Sequence, residues 1–79
     1  MHPIQSAHHD LANAIIVQAV EDYRNALNGV SYDRNLTPES VVKSIERFFR
    51  SEYYRTLTNV GGEYLIEQLN KEHKQKEKL

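Results

Sequence analysis

The chain has no cysteine. A disulfide staple, a thiolate metal site and a cysteine nucleophile are therefore excluded, and the absence suits a reducing compartment. Long hydrophobic runs are missing too. The longest, Ala14 to Val17, falls far short of the roughly 20 residues that cross a bilayer. The opening MHPIQSAHHD has neither a basic n-region nor an apolar h-region, so it does not read as a signal peptide. No charge of one sign dominates. Ten Lys and Arg against eleven Asp and Glu leave a net charge of −1, whereas DNA-binding domains usually carry a clear basic excess. No stretch alternates strictly between apolar and polar, so no strand is predicted. At 79 residues the chain is one domain near the lower size limit for folding unaided. The expectation is a soluble, intracellular, all-α protein.

Helical periodicity is what remains. Take about 100° per residue from Asp10 to Asn28. Ala12, Ile15, Ile16, Ala19, Val20, Tyr23, Ala26 and Leu27 then fall within an arc of about 140°. Ser6 or Asp10 is the candidate cap, and Asn28-Gly29 is the stop, because glycine reaches the left-handed conformation without a Cβ penalty. Val17 lies off the arc and should be exposed. The loop VSYDRNL follows, with Leu36 as its expected anchor and Tyr32 over the core edge.

Thr37, Pro38 and Glu39 form a strong start for a second helix: a hydroxyl cap, proline at the first position and an acid near the positive dipole end. Val41, Val42, Ile45, Phe48 and Phe49 share its apolar arc, with Lys43, Arg47 and Arg50 opposite. Continued past Ser51, the same phase would bury Glu52, and an unpaired buried carboxylate costs several kcal/mol. The sequence therefore predicts a break at Ser51, which caps a short third helix from Glu52 to about Thr58. A last helix begins in TNVGGEYLIEQL, capped by Thr58 or Asn59, with Leu65, Ile66 and Leu69 on one face. Gly62 shares that face, which signals either a close backbone approach or only a loose helix N-terminus. Beyond Leu69 the pattern stops. The architecture expected is a compact bundle of three main helices plus one short helix. It spans 10–70, between a flexible N-terminus (1–9) and a disordered or frayed charged tail (71–79).

The densest chemistry is IERFFRSEYYRTL, Ile45 to Leu57. Phe48 and Phe49 read as core. One of Tyr53 and Tyr54 packs while its hydroxyl reaches outward. Lys43, Arg47 and Arg50 form a basic stripe, but Glu39 and Glu46 precede Lys43 and Arg50 by four residues, the pairing of an ordinary solvated helix. His8 and His9 are adjacent and cannot share a helix face, so no metal site is expected. No phosphate loop, nucleophile–base pair or cofactor motif is present; VGGE lacks the lysine and the preceding strand. The expectation is a protein that performs no catalysis and holds no cofactor.

AIIVQAVEDYRNAL and SIERFFRSEYYRTLTNVGGEYLIEQL resemble a group of small uncharacterised proteins encoded by prophages and mobile elements of Gram-positive bacteria. The shared features are ERFFRSE, Leu57-Thr58 and GEYLI, and the likeness covers Ala14 to Leu69. Similar sequences carry Trp where this chain has Tyr53. The resemblance implies a phage-type accessory protein in the cytoplasm of a bacterial host.

Two functional readings follow. The first is binding of an unidentified host or phage protein, with Arg47, Arg50, Tyr54, Arg55 and Tyr64 as candidate contacts, since Tyr and Arg are enriched at interface hot spots. The alternative is nucleic-acid binding through Lys43, Arg47 and Arg50. Homodimerisation involving Val17 and Tyr64 is compatible with either.

Overall fold

The first helix, α1, runs from Pro3 to Leu27. The structure, a computed structural model, describes residues 3–77, and the side chains of residues 10–76. Helix α1 begins seven residues before the expected Asp10. Proline suits the first helical turn, because its missing N–H has no partner there anyway, and Ser6 and Asp10 lie inside the helix rather than capping it. Residues 3–9, expected to be flexible, are thus part of α1, and Met1 and His2 lie outside the described residues. The far end stops as predicted. Gly29 adopts φ +84°. Its N–H bonds to the Ala26 carbonyl at 3.0 Å, and the Val30 N–H bonds to that of Asn25 at 2.8 Å, the paired closure of a Schellman motif.

The loop to the second helix is fixed by polar side chains, not by Leu36, which is exposed. The Asp33 carboxylate accepts from the Asn35 N–H at 2.9 Å, and the Ser31 hydroxyl donates to the Asp33 carbonyl at 2.8 Å. Helix α2, Pro38–Phe49, starts as its sequence dictates, with the Thr37 hydroxyl accepting from the Ser40 N–H at 3.1 Å. It packs antiparallel on α1.

The break at Ser51 is present. Its hydroxyl donates to the Phe48 carbonyl at 2.6 Å, closing α2, and accepts from the Tyr54 N–H at 3.1 Å, opening α3, Glu52–Leu57. Glu52 is thereby exposed. Helix α4, Gly62–Glu77, is not capped by Thr58 or Asn59. Thr58 ends α3 in an extended conformation, and the Gly61 carbonyl accepts the first α4 bond, from the Leu65 N–H. The start is set by packing: a Cβ on Gly62 would collide with the Phe49 carbonyl, so only glycine lets α4 approach α2 this closely. The charged segment from residue 71 continues α4 helically as far as Glu77.

The core lies where the helices meet. Tyr23 and Ala26 of α1, Val41, Ile45 and Phe49 of α2, Tyr54 of α3, and Ile66 and Leu69 of α4 form one buried cluster. Tyr23, Phe49 and Tyr54 are almost wholly enclosed, and each such side chain contributes about 1.5–3 kcal/mol of hydrophobic stabilisation. Their rings meet edge to face, Tyr23 to Phe49 at 5.9 Å and Phe49 to Tyr54 at 5.6 Å between centroids. The fold is the all-α arrangement of three main helices and one short one. No strand occurs among the described residues, and no helix among them is long and apolar enough to cross a membrane.

Candidate functional site

Helix α4 covers only one side of the α1–α2 pair. On that side a polar chain links all three main helices. The Tyr23 hydroxyl donates to Glu46 Oε2 at 2.7 Å and accepts from Asn70 Nδ2 at 2.9 Å. Arg50 lies 3.8 Å from Glu46 Oε1 and grips Glu63 at the start of α4, its Nη2 donating to Glu63 Oε2 at 3.4 Å. Burial, followed by the carboxylate beside it, pushes the Tyr23 phenol up to about 12. The Arg50 bond holds the Glu63 carboxyl below its ordinary value. Both shifts favour the states that the hydrogen bonds require, a protonated tyrosine and an ionised glutamate. The chain therefore reads as a structural clasp.

The opposite side of the α1–α2 pair is open. Between the helices runs an apolar groove of about 470 Å³. Ile15 and Ala19 of α1 and Ile45 and Phe48 of α2 line it, and Tyr32 of the loop stands at its side, 62% exposed. Asp22 edges the α1 wall, accepting from Gln18 Nε2 at 3.0 Å, while Ser44 edges the α2 wall. Tyr53 extends the apolar surface, its ring 6.2 Å from that of Phe48. Such a trough between two helices is a common seat for an apolar helix face.

The predicted contact residues do not form one site. Tyr54 is a correction: it is buried, 1% exposed, while its neighbour Tyr53 faces out at 56%. Tyr54 fills the space under Phe48 and Phe49, burial raises its phenol pKa, and its hydroxyl has no hydrogen-bond partner among the described residues. Arg50 is committed to Glu46 and Glu63, so it is not a free cation. Arg50 and Arg55 border one hollow beside the start of α4; Lys43, Arg47 and Arg50 border another with Glu46. Tyr64 is exposed but borders neither. The expected Glu39–Lys43 ion pair is absent, and Lys43 and Arg47 make no ion pair among the described residues. Val17 is exposed as anticipated.

The groove itself was not among the sequence candidates. Comparison with known proteins finds no matching family model, no matching curated protein and no matching solved structure.

Proposed function

We propose that the chain is a small non-catalytic docking module, which binds a protein through the groove between α1 and α2. The setting implied by the resemblance above is that of a phage-type accessory protein in a bacterial cytoplasm. The observation that carries the reading is the groove: an apolar trough lined by Ile15, Phe48 and the exposed ring of Tyr32, with Tyr53 next to Phe48, on a face that no other described side chain covers. Aromatic side chains at such a surface supply large contact area at low entropic cost.

A photo-crosslinking residue placed at Gln18 tests this. In bacterial lysate it should yield a discrete adduct, to another protein or to a second copy. The adduct should vanish when Ser44→Arg blocks the groove. Diffuse labelling that Ser44→Arg leaves unchanged would refute the reading.

The nucleic-acid alternative draws on Lys43 and Arg47, which border one hollow and make no ion pair among the described residues. Against it, Arg50 is neutralised by Glu46 and Glu63. Binding of short oligonucleotides that falls steeply with salt would favour it.

A further inference from the structure

We infer that Asn28–Gly29 is the chain's site of spontaneous deamidation, and that the hydrogen bonds closing α1 gate the reaction. Three observations carry this.

The first is the dipeptide. Asn28 precedes glycine, whereas Asn13, Asn25, Asn35, Asn59 and Asn70 each precede a residue with a side chain. In the reaction the backbone nitrogen of the following residue attacks the carboxamide carbon. A Cβ on that residue hinders the approach, and glycine has none. The bond from Gly29 N to Asn28 Cγ forms, the Cγ–Nδ2 bond breaks, and ammonia leaves, carrying the Gly29 proton by way of solvent. Water then opens the cyclic imide at either carbonyl, which leaves aspartate or isoaspartate. Water is the only co-reactant.

The second is access. Asn28, Gly29 and Val30 are exposed, and the Asn28 carboxamide has no hydrogen-bond partner among the described residues. Water reaches the site, and no bond anchors the side chain away from the next peptide.

The third is the gate. The attacking nitrogen is engaged. The Gly29 N–H donates to the Ala26 carbonyl at 3.0 Å, and the Val30 N–H after it donates to the Asn25 carbonyl at 2.8 Å. With Gly29 at φ +84°, these bonds fix the peptide whose nitrogen must lose its proton and turn toward Cγ. The reaction therefore waits for the end of α1 to open, a local event that costs less than global unfolding. It also runs one way. Isoaspartate adds a methylene to the main chain between Asn25 and Val30, which breaks the register of the closure. Either product sets a carboxylate at the negative end of the α1 dipole.

Peptide mapping by mass spectrometry on the full chain tests this, after ageing in mildly alkaline buffer with and without enough urea to unfold it. Deamidation at Asn28 should run at least about tenfold faster in urea, where the closure is absent. The other asparagines should lag behind Asn28 there. Val30→Pro removes one N–H of the closure and keeps Asn28–Gly29. It should raise the rate in buffer several-fold, with circular dichroism confirming that the helices persist. The isoaspartyl chain, separated by chromatography, should melt below the parent. Equal rates with and without urea, or a Val30→Pro rate no higher than the parent's, would overturn the gate. Failure of Asn28 to lead the other asparagines in urea overturns the site. An isoaspartyl chain that melts with the parent overturns the loss of closure.

Discussion

Gly62 lies against the carbonyl of Phe49, so closely that a methyl group at Gly62 has no room. The contact joins the first turn of α4 to the last turn of α2. Gly62→Ala should therefore force the two helices apart and cost about 1–3 kcal/mol, as overpacking does. Gly61 has open space around it, its would-be Cβ meeting Tyr64 Cβ at an ordinary 3.8 Å. Gly61→Ser supplies a preferred capping side chain and should be neutral or stabilising. Urea denaturation of both variants distinguishes backbone crowding from a general intolerance of change in this turn.

Ser51 serves two helices with one hydroxyl. Ser51→Ala removes the α3 cap and should lower stability by about 1 kcal/mol, and Ser51→Gly by only a few tenths. Equal losses in the two variants would mean that the cap bond is not what matters.

Tyr23 sets an alkaline limit. Its phenol titrates near 12 in the fold against 10.0 in the unfolded chain. The folded value is the higher, so this contribution is complete below pH 10 and is lost as pH rises toward 12. Tyr23→Phe should cost about 1–2 kcal/mol at neutral pH, since Glu46 and Asn70 each lose a partner. It should also flatten the loss of stability above pH 10. Thermal melts across that range check both effects.

Glu63 acts at the acid end. Its folded value lies below the ordinary 4.5 because Arg50 holds the charged form. The contribution is present above pH 4.5 and fades as pH falls through the folded value. Glu63→Gln should accordingly show a shallower decline in stability on acidification than the parent chain. Identical acid profiles would show that the exposed pair contributes nothing measurable.

The legible parts of this fold were those governed by neighbours in sequence. Thr37-Pro38 chose the start of α2 by cap chemistry, and the phase of Glu52 required the break at Ser51. Gly62 on an apolar helix face pointed to a close approach or a loose helix start, and the Phe49 carbonyl against it decides for the first. What escaped needs longer reach. Tyr53 and Tyr54 sit in a helix of only six residues, too short for periodicity to fix which ring turns inward; Phe48 and Phe49 decide it. The clasp links Tyr23 to residues 23 and 47 positions away, beyond any local pattern. The candidate site was sought among charges, and Arg50 was among the candidates because its partner Glu63 lies in another helix. The groove is marked by missing cover over two apolar arcs, a property of the helix pair and of no single segment.

The Tyr23 hydroxyl has a further consequence for motion. It gives its proton to α2 and takes one from Asn70 of α4, whose side-chain nitrogen also donates to the Ile66 carbonyl of its own helix at 2.8 Å. If α4 lifts away, Tyr23 still has Glu46 and Asn70 still has Ile66, so separation leaves neither group stranded. At Tyr23 the chain can part from α4 with both groups still bonded, while the Arg50–Glu63 pair parts with it into solvent. On this hydrogen-bond pattern the α4 amides should exchange with solvent before those of the α1–α2 hairpin.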